Sequence, residues 1–231
     1  MTLRYSMAAF AALVCVGLGG NNASASTVCL NATHGATNYG PDTSCATSAE
    51  SEVFLQSQTN TMKGFGNIGS QTGLPLVEFT STNALDLANG NATITPAAKG
   101  GKASFANLDI TVPGHTFTDL IFDLQMLNAF SPTGETLTVS ALDGSTVEGS
   151  FKYTMLAHDA DIHFIVAATS GLTAVDLSSP TGMKEAKHFD VSRVAAIPEI
   201  STWSMMLLGF AGLGYAALRG GGKQTASVIE A

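Results

Sequence analysis

The stretch TLTVSALDGSTVEGSFKYTM, residues 136–155, decides the fold class. In its first half Leu137, Val139 and Ala141 alternate with Thr136, Thr138 and Ser140, the period of two that sends successive side chains to opposite faces of a strand. Asp143-Gly144-Ser145 then supplies a turn, because Asp-Gly tolerates the positive φ of a tight hairpin. The return strand puts Val147, Gly149, Phe151, Tyr153 and Met155 on one face and Glu148, Ser150, Lys152 and Thr154 on the other. An apolar face and a solvated face predict an antiparallel hairpin lying on a core.

The same pattern recurs on both sides of this hairpin. Leu76–Thr80, Ala92–Thr95 and Ala106–Val112 are bounded by Pro, Asn and Gly, and Leu108, Ile110 and Val112 alternate with Asp109 and Thr111. In Phe117–Leu124, Leu120, Phe122 and Leu124 share a face against Asp119, Ile121 and Asp123. Further strands are expected at Ile162–Ala168, Leu172–Leu177 and His188–Val194, with turns at Ser170-Gly171 and Ser178–Gly182. Val53-Phe54-Leu55 is followed by a glycine-rich passage, Met62–Gly73, whose Gly64, Gly66, Gly69 and Gly73 match no phosphate cradle and read as turns. No apolar stripe of helical period lasts three turns between Val53 and Val194. The expectation is an all-β domain, an antiparallel β-sandwich of jelly-roll topology.

Between Ser26 and Ile197 there are seven Lys and Arg against sixteen Asp and Glu, a net charge of −9, which disfavours nucleic acid and anionic lipid as partners. At the N-terminus Arg4 precedes an apolar run from Met7 to Leu18, and Ala23-Ser24-Ala25 supplies small residues for cleavage. That is the layout of a secretory signal peptide, with the mature chain starting at Ser26. Bulky Val14 before Cys15 argues against lipid attachment there. Cys29 and Cys45 are then the two cysteines left, and export to an oxidising compartment predicts a disulfide between them. It would close a loop of about 15 residues and stabilise by ~3 kcal/mol. The polar region from Thr27 to about Ser51 reads as loop stapled by that bridge. The two cysteines and His34 lack a fourth ligand at any zinc spacing.

Near the C-terminus, Ile197-Pro198-Glu199-Ile200-Ser201-Thr202-Trp203 leads into Trp203–Leu218, where every residue but Ser204 is apolar or glycine, and Arg219 closes the run. The length is just enough for a tightly fitted span, with Trp203 at one interface and a positive charge at the other. These residues resemble the sorting tail of PEP-CTERM proteins, in the variant with a Trp three residues after the triplet. The resemblance covers Ile197–Arg219. Ile200 stands where the family has its second Pro, and the terminal basic cluster is reduced to Arg219 and Lys223. It implies recognition by an exosortase-type membrane protease in the inner membrane of a Gram-negative bacterium. It also implies release to the cell surface or medium, and association with exopolysaccharide or biofilm. The strands Phe164-Ile165-Val166 and Phe189–Val194 resemble the closing hairpin of jelly-roll domains that carry such tails. The chain thus divides into a signal peptide (1–25), a disulfide-stapled region (26–51), a β-sandwich domain (52–196), a sorting tail with a transmembrane helix (197–223) and a short cytoplasmic tail (224–231).

One cluster looks chemical, His158-Asp159-Ala160-Asp161-Ile162-His163. On a strand Asp159, Asp161 and His163 share a face, and two carboxylates with loop carbonyls can hold calcium, so Asp159 and Asp161 are the candidate metal ligands. No other cofactor is expected. Neither a Gly-x-Ser-x-Gly motif nor a free cysteine accompanies the cluster as nucleophile. Asp119 and Asp123 share a strand face, but ~13 Å apart they exceed any glycosidase separation and are expected to face solvent. His34, His115 and His188 are isolated, and Asn31-Ala32-Thr33 and Asn91-Ala92-Thr93 match a glycosylation pattern to which no role is assigned. No catalytic set is legible, and tyrosines occur in the mature domain only at 39 and 153. The expectation is a non-enzymatic surface or matrix protein, with a secreted hydrolase or a carbohydrate-binding module permanently anchored by the C-terminal helix as the alternative.

Overall fold

The computed structural model describes residues 27–34, 37–38, 41–42, 45, 47, 49–69, 76–89, 92–100, 103–127, 136–154 and 161–196, together with Met206, Phe210, Ala211 and Leu213. The strands run β1 (Val28–His34), β2 (Thr37–Asn38), β3 (Glu50–Leu55), β4 (Gln58–Ile68), β5 (Leu76–Ala88), β6 (Thr93–Pro96) and β7 (Phe105–Thr111). They continue with β8 (His115–Met126), β9 (Thr136–Asp143), β10 (Thr146–Thr154), β11 (Ile162–Leu172), β12 (Ala174–Ser192) and β13 (Ala195–Ala196). Among the described residues every pairing is antiparallel.

The β9–β10 hairpin forms as expected, with Thr136 opposite Thr154, Asp143 opposite Thr146 and Gly144 at φ +59°. Leu137, Val139, Ala141 and Tyr153 are buried on its inner face. A β-bulge between Val147 and Gly149 breaks the alternation, so Val147 is 55% exposed instead of sharing the inner face.

The thirteen described strands join into one continuous sheet because its longest strands change partners along their length. Residues 174–178 of β12 lie between β7 and β9, whereas residues 183–192 lie beside β8, β3 and β6. The turn expected at Ser178–Gly182 is instead a register shift inside that strand, with Gly182 at φ +91°. One half of the sheet runs β10-β9-β12-β7-β5-β4 and the other runs β1-β11-β8-β12.

Aromatic contacts tie the halves together across the interior. Phe79 of β5 meets Phe189 of β12 at 4.8 Å between ring centroids, Phe189 meets Phe122 at 6.1 Å, Phe122 meets Phe164 at 5.2 Å, and Phe164 meets Tyr153 of β10 at 5.9 Å. All five rings are buried in a single core. Each contributes about 2–3 kcal/mol of burial, with ~1 kcal/mol more for well-placed ring pairs.

Two other passages differ from expectation. The glycine-rich passage is β4, and its glycines serve close packing: a Cβ on Gly64 would strike the Leu87 side chain and one on Gly66 would lie 2.5 Å from Val53 Cγ1. The region expected as loop contains β1, which pairs with β11 from Val28↔Ala168 to Thr33↔His163. The signal peptide falls outside the described residues. So does the expected span, except that Met206, Phe210, Ala211 and Leu213 are helical and exposed. Among the described residues no helix is long and apolar enough to cross a membrane.

Candidate functional site

Registers on the outer face of the first half assemble a polar row from strands far apart in sequence. Lys63 lies opposite Thr80, Thr80 opposite Asp109, Asp109 opposite Asp176, Asp176 opposite Ser140 and Ser140 opposite Ser150. From Thr80 to Ser140 each is the outward residue of a strand whose neighbours in sequence are buried, so the alternation that buries Leu108, Ile110, Val175 and Leu177 also presents Asp109 and Asp176. Beside this row Asn107, Ser178 and Thr138 form a second one, and the hydroxyl of Thr82 donates to Asn107 Oδ1 at 2.5 Å. Between the rows lies an open groove of about 290 Å³, lined by Asn107, Asp109, Ser140, Asp176 and Ser178 together with Leu108 and Leu177.

The groove is organised around two carboxyl groups in hydrogen-bonding contact. Burial pushes Asp109 up to about 6, helped by its hydrogen bond to Asp176 and by the charges of Asp176 and Glu78. Its Oδ1 is enclosed with no hydrogen-bond partner among the described residues, which leaves its charge poorly solvated. The pair therefore retains a proton to a pH at which ordinary carboxyls are ionised. Glu78, at the edge, is tied to Lys63 Nζ at 2.7 Å. With its proton held between the two carboxyls, such a pair accepts several hydrogen bonds from outside, the complement of a sugar's vicinal hydroxyls.

A second cluster sits on the outer face of the other half. His163 Nδ1 lies 2.8 Å from Asp123 Oδ1 and His188 Nδ1 lies 2.7 Å from Asp123 Oδ2, so one carboxylate accepts from both imidazoles. Burial, the largest single influence, would raise Asp123, but the two hydrogen bonds together with the charges of His163 and His188 hold the carboxyl below its usual range. The same bond to Asp123 raises His163. His188 reaches Asp123 from a bulge in β12, at φ +53°. Nearby, Asp190 is raised by burial and by the charges of Glu50 and Glu52.

The sequence-derived site residues fall as follows. Cys29 and Cys45 are joined, with Cα atoms 5.6 Å apart. Asp42 Oδ2 accepts the Leu30 N–H at 2.8 Å beside them. Asp161, the described half of the expected calcium pair, lies 2.9 Å from Lys187 Nζ, and Asp159 is outside the described residues. Among the described residues the one triple of potential metal ligands is Cys29, Asp42 and Cys45, whose two sulfurs are bonded to each other. Asp119, expected at the surface, is 3% exposed and accepts from the Thr118 hydroxyl, whereas Asp123 enters the histidine cluster. Pro198, Glu199, Ile200, Trp203 and Arg219 lie outside the described residues. The Asp109–Asp176 pair was not legible in advance. Its one signal was an acidic residue on the outer face of each of two strands.

No family model and no curated protein matches the chain. Two solved structures match it in part, both mutants of a family 29 carbohydrate-binding module and one of them complexed with mannohexaose. Each is 11% identical, and the matches span 65% and 64% of this chain and 92% and 91% of the module, with TM-scores of 0.31 and 0.32. At those TM-scores the likeness carries no argument about this chain.

Proposed function

We propose that this chain is an exported, non-enzymatic protein of the cell surface or extracellular matrix that holds polysaccharide in the groove between β7, β12 and β9. The observation that carries the reading is the placing of Asp109 directly opposite Asp176 in an open groove. Two carboxyls opposite each other on neighbouring strands suit recognition of hydroxyl groups. In the second cluster Asp123 draws Nδ1 of both His163 and His188 onto one carboxylate. The closed Cys29–Cys45 bridge supports export through an oxidising compartment. Sorting by an exosortase-type protease, with transient residence in the inner membrane, follows from the resemblance at Pro198-Glu199 and Trp203–Arg219. We retain the jelly-roll ordering as the finer reading of the two facing halves.

Affinity electrophoresis of the full chain in gels cast with neutral, acidic and amino-bearing polysaccharides tests the binding half. Retardation by at least one of them, lost in Asp176→Ala, is expected, and unchanged mobility in all three refutes it. For the sorting half, mass spectrometry of the C-terminus from surface and medium should find chains ending near Pro198-Glu199. Intact chains ending at Ala231, recovered solely from the inner membrane, would make the tail a permanent anchor.

A further inference from the structure

Resting on that reading, we infer that the glycan is linear and free of acid groups, and lies across the strands with about one sugar per strand, centred on Asp109 and Asp176. Neighbouring strands are ~4.8 Å apart, close to the ~5 Å advance of one pyranose in an extended chain. The row offers one outward polar side chain on each of six consecutive strands: Lys63, Thr80, Asp109, Asp176, Ser140 and Ser150. Five spacings of that size span ~24 Å, the length of about five sugars. Along a single strand, by contrast, outward residues recur every ~6.6 Å, which an extended sugar chain does not match.

The direction is also set by what flanks the groove. The floor between the two rows is open along the row, from Asn107 and Asp109 across Asp176 and Ser178 to Ser140. At its far end Ser140 and Ser150 continue the line through hydroxyls 3.1 Å apart. Among the described residues no Lys or Arg lines the groove; the flanking Lys63 is paired with Glu78, and Lys152, opposite Thr138, ends the second row two strands away from Asp176. A uronic acid seated on Asp109 and Asp176 would meet two carboxyls with no cation in the groove lining to offset the repulsion. A neutral sugar donates its hydroxyls to the pair, and an amino sugar can replace the shared proton with its ammonium group.

The test is titration of the full chain with unbranched glucan and chitosan oligomers of two to six units, and with polygalacturonate. Affinity should rise with each added unit to about five and then level off. Ser150→Ala, at the end of the row, should weaken five- and six-unit oligomers about five-fold, the value of one hydrogen bond, and leave two-unit oligomers unchanged. Binding that Asp176→Ala abolishes but that does not grow beyond two units would overturn the crossing path while leaving the groove a glycan site. Tighter binding of polygalacturonate than of the neutral oligomers would overturn the exclusion of acidic glycans. Absence of binding to every probe defeats both this inference and the reading beneath it.

Discussion

Replacing Asp109 by asparagine removes a groove carboxyl whose ionisation opposes folding. That carboxyl is raised from 3.8 to about 6, so between those values the folded chain binds more protons than the unfolded one. The favourable contribution of the protonated form is therefore complete below 3.8 and lost as pH rises through 6. At ~1.36 kcal/mol per pH unit the rise is worth at most ~3 kcal/mol. Asp109 is only half-buried, and solvent screening brings a realistic figure to ~1 kcal/mol. The substituted amide carries no such charge and can still donate to Asp176. Asp109→Asn should then match wild type near pH 4 and exceed it above pH 7 by ~1 kcal/mol, or about 2–4 °C in melting temperature for a domain of this size. Thermal unfolding followed by circular dichroism from pH 3.5 to 8 measures the gap. A constant difference between the two chains across that range would refute the argument, because a lost contact without a titrating pair gives parallel profiles.

Mass mapping without reductant should recover Cys29 and Cys45 in one linked peptide, and Cys45→Ala should destabilise by ~3 kcal/mol in the chain-entropy model. Gly64→Ala should cost about 1–3 kcal/mol in urea unfolding, because its methyl collides with Leu87 in the core; a neutral result would mean that β4 can move outward at no cost. Asp123, held low, contributes stability above the ordinary carboxyl range that is lost as pH falls, and His163, held high, contributes stability below 6.5 that is lost as pH rises through its raised value. Asp123→Asn should accordingly lower the melting temperature most near pH 5 to 6, and two-dimensional NMR should find the His163 titration returning toward 6.5.

How much of this was legible in the sequence depended on range. Period two in Leu137-Thr138-Val139-Ser140 and in Leu120–Leu124 is a property of neighbouring residues, so strand type and the inward face could be read locally. The Asp-Gly turn was likewise local, because it rests on the φ preference of one residue. Cys29 and Cys45, the two cysteines beyond the expected signal peptide, needed no geometry to be matched. Glycines 64 and 66 were misread as turns because the contact that demands them comes from Leu87 and Val53, on other strands.

Which outward residues meet was decided only by tertiary structure. Asp109 faces Asp176, and His188 reaches across 65 residues to Asp123, because burial of Phe79, Phe122, Phe164 and Phe189 in one core sets the registers of β7, β8 and β12. A slip of one residue in any of those strands would turn its apolar set outward and dissolve the cluster to which it contributes, and in β12 it would dissolve both. The sequence alone determined an acidic, mainly β chain and matched its Cys29 with Cys45, since each rests on residues close together or on counts. The carboxyl groove required the core, because only packing over the whole sheet chooses which distant strands become neighbours.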